Sequence, residues 1–388
     1  FKKISDGYWL RYGLLAVVLF TSGFQISCPP PESLEGIDTD FNPAFHDGPN
    51  SGSSFIPPII KAVAVDQRTG NIFVGGSFDM IDNVPAVNIA FYDKTKGSFF
   101  RLFGKGLRTT TQFYSGSVNA LSISGNYLYV GGEFAQTAAN PPVTGMNNLA
   151  RYYIGSGSLE EVKAGFFSPV DRNGLNGTVY ALEVFDDDLY VGGSFSNVVG
   201  LPQVIGLSNI GRYENAASCN SNCWSAVHSG FNSTVYALEK GILGNQAGDI
   251  LYIGGEFTAL NGSMLVAKRF TAYRPIDGAM LEFPGLNGTV KALAYIPSTF
   301  SIYAGGSFTQ NDDNNLELNR IAYYPGGVDW RALPENGLNG DVNALVRSEN
   351  LVFVGGDFTQ TQAATPTALS RVASYDSTPD QQTWTPFA

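Results

Sequence analysis

The chain has 388 residues, 44% of them hydrophobic and 15% charged, with 45 Gly, 27 Phe and 19 Tyr. This mixture excludes a disordered polymer and a helical bundle, and it suits many short strands joined by tight turns. The net charge of −11, with no run of Lys or Arg, excludes a phosphate-tracking surface, so nucleic acid and anionic membrane are not expected partners, whereas Ca²⁺ or another cation is compatible.

Lys2, Lys3 and Arg11 precede an apolar run of 13 residues from Tyr12 to Phe24. That is signal-peptide length and too short to cross a bilayer. Residues 1–27 are therefore expected to be an export signal whose start precedes Phe1, and 28–39 a tether holding Pro29, Pro30 and Pro31. Residues 40–388 would be the folded part. The segment Gln25-Ile26-Ser27-Cys28 resembles a bacterial lipoprotein signal, with Gln25 where an aliphatic residue is usual. The resemblance implies a lipidated Cys28 and a place in the cell envelope. An ordinary cleaved signal, giving a secreted protein, or an uncleaved anchor stays open. The other two cysteines, Cys219 and Cys223, flank Asn-Ser-Asn directly before Trp224. With two His in the whole chain, zinc lacks ligands, and a short disulfide is the expected use.

Next along the chain come six copies of one unit. Val74-Gly75-Gly76-Ser77-Phe78 recurs with its first glycine at 131, 192, 254, 305 and 355. Upstream of each lies a β-prone stretch, such as Ile60-Lys61-Ala62-Val63 or Val290-Lys291-Ala292-Leu293. Downstream lies another that ends in Tyr92, Tyr152, Tyr213, Tyr273, Tyr324 or Tyr375. A weaker fourth stretch holds Phe99, Phe166, Trp224, Phe283, Trp330 or Trp384. Hairpin signals, Arg68-Thr69-Gly70-Asn71 and Gly125-Asn126, separate the first two stretches. Gly-Leu-Asn-Gly turns at 174–177, 285–288 and 337–340 link units, with Asn-Gly expected to supply positive φ.

Four antiparallel strands, six times over, predict an all-β, six-bladed β-propeller of four-stranded blades. The Gly-Gly pair is expected to admit an aromatic ring or adjacent backbone. The outer strand of the last blade could be Asp40–Phe45 or Trp384–Phe387, and the C-terminal segment is favoured. The Gly-Gly-x-Phe strand, the Tyr-ended strand and the Gly-Leu-Asn-Gly turn resemble the delta-60 repeat of bacterial surface proteins. More distantly, they resemble kelch-like propellers and fungal Rax2-type repeats. The resemblance implies a propeller and no single activity.

Catalytic constellations are sparse. His46 and His228 are the only histidines, so a Ser-His-Asp or Cys-His arrangement would have to use one of them. The loops after each Gly-Gly-x-Phe strand are the expected ligand loops. Two are rich in oxygen ligands: Asp79, Asp82 and Asn83 in one, and Asn311, Asp312, Asp313, Asn314 and Asn315 in the other. Asp312 and Asp313 are the Ca²⁺ candidates, without EF-hand spacing. Asp186, Asp187 and Asp188 read as a solvated hairpin tip. Asn176, Asn232, Asn261 and Asn287 sit in glycosylation sequons, three of them in repeat turns. The favoured reading is a monomeric interaction module, not an enzyme, that presents its loops to a protein or glycan at the cell surface. A carbohydrate-active hydrolase or lyase with acidic residues on one rim is the alternative. A structural repeat within a larger surface protein is the third.

Overall fold

The computed structural model describes residues 45–46 and 58–387, apart from 111–115, 171–173, 201–206, 215–222, 244–248, 263–265, 314, 328 and 379–381. The expected signal, Cys28 and tether lie outside the described residues. The repeats form six four-stranded antiparallel sheets, the blades of a β-propeller, each running a-b-c-d in chain order. Two compact units divide the chain, and the division falls inside blade 3.

The first unit holds blade 1 (Ile59–Val65, Ile72–Ser77, Ile89–Asp93, Ser98–Arg101) and blade 2 (Ser117–Ser124, Tyr127–Glu133, Leu149–Tyr153, Phe167–Pro169). It also holds most of strand a of blade 3 (Val179–Phe185). Strand b is buried on both faces, as Ile72, Phe73 and Val74 show, which accounts for its unbroken apolar run. Phe73, Phe91, Val118, Leu128, Val130 and Tyr152 form one core between blades 1 and 2. One six-residue helix, Leu159–Ala164, links strands c and d of blade 2, with the Ser158 side chain capping the Glu161 N–H.

The second unit holds strands b to d of blade 3 (Asp188–Gly193, Ile210–Tyr213, Trp224–Ala226). Blade 4 follows (Val235–Ile242, Asp249–Gly255, Phe270–Arg274, Ala279–Leu281), then blade 5 (Val290–Ile296, Ser301–Gly306, Ile321–Tyr324, Arg331–Ala332). Blade 6 is Val342–Ser348, Leu351–Gly356, Val372–Asp376 and Trp384–Pro386. Its outer strand is therefore the C-terminal segment, as expected. The backbone of Phe45–His46 pairs instead with Met80–Ile81 beside blade 1.

The two glycines have separate tasks. A Cβ on Gly254 would lie 2.5 Å from Val290 Cγ1, the first valine of the next blade, and Gly131 meets Val179 in the same way. A Cβ on Gly255 would meet the Thr234 carbonyl of its own blade, and one on Gly132 the Ser117 carbonyl. So backbone does approach, as expected. The side chain that approaches the first glycine, however, is a valine and not an aromatic ring. The second approach coincides with a β-bulge, where strand b skips one residue of strand a: Lys61, Asn119, Tyr236, Lys291 and Asn343.

Tyr at the end of strand c pairs with the strand d aromatic. Tyr92 lies 5.1 Å from Phe99, Tyr213 5.5 Å from Trp224, and Tyr375 5.3 Å from Trp384. In blade 2 the partner is Phe167, 4.6 Å from Tyr152. Phe166, the residue expected from the sequence, points out and is 52% exposed. Two adjacent aromatics cannot be ranked without the register, because neighbours on a strand face opposite ways.

Gly254→Ala should destabilise the protein by about 1–3 kcal/mol through overpacking. Adding Val290→Ala should recover part of that loss. Urea melts of the two single variants and the double variant would show non-additivity if the two groups meet.

Candidate functional site

One end of each blade carries a loop from the strand b Phe to strand c. Its base is built identically six times. The residue before strand c sits at positive φ: Asn88, Asn148, Asn209, Arg269, Arg320 and Arg371. Its N–H donates to the carbonyl of the Phe, at 2.7 Å for Asn148 and Phe134 and 3.1 Å for Arg371 and Phe358. Its carbonyl accepts from the second glycine, at 3.0 Å for Asn148 and Gly132 and 2.9 Å for Arg371 and Gly356. In blades 1 to 4 the side chain reaches on to the following link: Asn88 Nδ2 to the Leu107 carbonyl, Asn148 to Leu175 and Asn209 to Phe231, each at 2.9 Å, and Arg269 Nη1 to Leu286 at 2.8 Å. Sequence reading missed these residues. Their signal was an Asn or Arg directly before the apolar start of every third strand.

The linking turn then grips the next loop. Asn287 Oδ1 accepts from the N–H groups of Thr309 and Gln310, and its Nδ2 donates to Thr309 Oγ1 at 3.1 Å. Asn232 holds Thr258 and Ala259, and Asn339 holds Thr359 and Gln360, in the same way. Asn176 Oδ1 accepts from Asn197 N–H. This corrects the expectation that Asn-Gly supplies positive φ there. The positive φ falls on Gly174 and Gly337, the first residue of the turn. Asn is used for its amide, and the final Gly for close approach: a Cβ on Gly288 would lie 2.6 Å from Phe308 Cα. The sequon asparagines 176, 232 and 287 are thus engaged in the frame. Asn261 Nδ2 donates to Ser208 Oγ at 2.9 Å.

The bulged residues lie at the same end of their blades, where a bulge re-aims its side chain. Lys61 Nζ donates to Asn119 Oδ1 at 3.1 Å. Burial lowers the Lys61 pKa, against the opposing pull of Glu133. Lys291 Nζ donates to Asn343 Oδ1 and Asp341 Oδ2, both at 2.9 Å, and Arg320 Nη1 meets the other Asp341 oxygen at 3.0 Å.

The ligand-loop candidates separate. Asp82 and Asn83 form the two-residue turn of a hairpin, at φ 45 and 63, and the Asp79 carbonyl accepts from Ala86 N–H. Asn311 is buried, and its Oδ1 accepts from the Asn315 and Leu316 N–H groups. Asp312 pairs with Lys268, Asp313 lies in the adjoining turn, and Asn314 lies outside the described residues. Among the described residues, no three His, Cys, Asp or Glu side chains converge as a metal group would require. Asp186 and Asp187 turn the strand a–b hairpin of blade 3 at positive φ. Asp186 meets Lys240 at 3.4 Å, and Asp188, 14% exposed, is paired with Arg212 at 2.5 Å instead of being solvated. His228 lies in the turn after strand d of blade 3 and not on the strand itself, exposed and 3.2 Å from Ser229 Oγ. Nothing is described of the His46 side chain. Cys223 directly precedes Trp224, and its expected partner Cys219 lies outside the described residues.

One carboxylate was not foreseen. Glu239, on strand a of blade 4, accepts from the Tyr295 N–H at 3.1 Å. Burial pushes its pKa up to about 7, against the lowering effects of that hydrogen bond and of Arg347.

The class these features define is the six-bladed β-propeller. No family model matches the chain. A stretch of 74 residues, 19% of the chain, is 35% identical to "Polarized growth protein L1" of Phoma sp., and the match spans 5% of that protein's length. The crystal structure of RRP9 WD40 repeats overlays with a TM-score of 0.48 at 12% identity, covering 85% of this chain and 79% of that one.

Two outcomes are expected. Asn148→Gly keeps the backbone conformation but loses the bond to Leu175, costing about 1 kcal/mol, and Asn148→Ala should cost more because it adds strain at positive φ. Chemical denaturation of both would check this. For Glu239, the folded pKa lies above the unfolded one, so its contribution is fully present below pH 4.5 and lost as pH rises through about 7. Glu239→Gln should remove that pH dependence and raise the melting temperature above pH 7 relative to the parent.

Proposed function

We propose that the chain is a protein-interaction module that presents side chains from the loop-bearing ends of its blades. The observation that supports this is the contrast between frame and filling. The loop base is the same in all six blades. The bulged residue it surrounds is Lys61, Asn119, Tyr236, Lys291 or Asn343 according to the blade. A rigid scaffold carrying chemically different side chains suits recognition. The raised pKa of Glu239 would suit a general acid. Its carboxylate instead accepts a main-chain N–H from the next blade, so binding is preferred to hydrolysis.

We further propose that the chain works outside the cytoplasm, anchored through Cys28 or secreted, with Cys219 and Cys223 joined and Ca²⁺ at most an accessory near Asp312 and Asp313. The delta-60 and kelch-like resemblance supports a place among surface repeat proteins. The short match to a much longer polarized growth protein supports the idea that such repeats serve within larger chains.

A photo-cross-linking residue at Tyr236 or Lys291, with Ser225 on an outer strand as control, tests the binding face in the native host. Rim-specific adducts to one protein are expected. Adducts equally strong at Ser225, or none at the rim, would overturn the reading.

A further inference from the structure

At the far end of blade 2, beside the strand a–b hairpin, three aromatic rings lie in a row. Tyr127 and Tyr153 are register partners across strands b and c, with ring centroids 5.5 Å apart, edge to face. Phe166 stacks on Tyr153 at 6.0 Å and 22°, and it is 52% exposed. Both tyrosines are half-buried. The Arg151 guanidinium lies over the Tyr127 ring at 4.8 Å, and its Nε donates to Ser168 Oγ at 3.2 Å. The main chain holds the row in place, because Tyr153 N–H donates to the Phe166 carbonyl at 3.1 Å.

The fold does not require these rings. At the places of Tyr127 and Tyr153, the other blades carry Asn71 and Asp93, Asp188 and Glu214, Ile250 and Arg274, Ser301 and Pro325, and Leu351 and Asp376. Five blades form without an aromatic pair there. A row of rings with Phe166 exposed at its end is therefore an addition to the blade and not a requirement of it.

We propose that this row binds a carbohydrate carrying a carboxylate, one pyranose face lying on the outward face of Phe166, which Tyr153 backs, and the carboxylate meeting Arg151. Ring faces carry negative quadrupole density and attract the polarised C–H groups of a sugar. A cationic ligand is disfavoured because Arg151 already covers Tyr127 and would repel it. Among the described residues the Arg151 side chain makes one hydrogen bond, from Nε to Ser168, and its terminal nitrogens form the fork that suits a carboxylate. A protein partner fits less well, since three rings fall far short of the roughly 800 Å² per side of a stable protein interface. The proposal is independent of the rim reading, because these residues lie at the opposite end of the blade from the loops.

Surface plasmon resonance on the intact chain would use a β-1,4-linked mannuronate tetramer and β-1,4-mannotetraose as the neutral match. The uronate is expected to bind about tenfold more tightly or better. Tyr153→Ala with Phe166→Ala should lower that affinity by a similar factor, and Arg151→Gln should bring the uronate down to the level of the neutral sugar. Phe166→Ser alone, at an exposed position, guards against a folding artefact and should weaken binding without changing the melting temperature. Absence of uronate binding, equal binding of both sugars, or unchanged binding by the double variant would each overturn the proposal. So would a photo-cross-linker at position 166 that captured a protein in place of the sugar.

Discussion

Each blade depends on one residue held at positive φ ahead of its third strand. Placing an L-residue there costs roughly 1–2 kcal/mol, and Asn tolerates it better than Arg. The cost is offset because both main-chain groups of that residue are satisfied, one by the Phe carbonyl and one by the second glycine, at about 1 kcal/mol each. The same turn brings strand a so close that any side chain on the second glycine would strike its carbonyl. Gly-Gly, the bulge and the left-handed residue are thus three aspects of one backbone arrangement.

From that arrangement the joints between neighbouring blades follow. From blade 2 to blade 5 the side chain of the left-handed residue reaches the next link, and the link's asparagine reaches the next loop, so these joints are closed by hydrogen bonds in both directions. Further out, aromatic groups take over. Trp330 Nε1 donates to the Pro284 carbonyl at 2.7 Å, and Trp384 Nε1 to Pro334 at 3.1 Å. Blade 5 is tied in this way to blade 4, and blade 6 to blade 5. Tyr152 uses its hydroxyl to bind the Val162 carbonyl at 2.7 Å, and burial pushes its pKa up to about 12.

The architecture was legible because its signals are local and repeated six times. Gly-Gly-x-Phe marks the end of strand b, Tyr the end of strand c, and Arg68-Thr69-Gly70-Asn71 a hairpin. What was not legible depends on contacts between repeats. The asparagine of Gly-Leu-Asn-Gly looks like a turn former, yet its amide holds a loop more than 20 residues away, as with Asn287 and Thr309. Phe166 and Phe167 are indistinguishable until the register assigns one to the core. Glu239 looks like any surface acid on an alternating strand, until the next blade sets the Tyr295 N–H against it.

The site is legible by subtraction. Whatever the six blades share serves the frame, and recognition must lie in what they do not share. Asp82, Asn83 and Asn311 are unshared too, but they are taken up by the turns of their own loops. The bulged position alternates among three chemistries, Lys at 61 and 291, Asn at 119 and 343 and Tyr at 236, on an otherwise fixed backbone. The row of Tyr127, Tyr153 and Phe166 differs from its five counterparts at another. Neither set is demanded by packing, and each adds side chains with a definite chemical preference to a backbone that would stand without them.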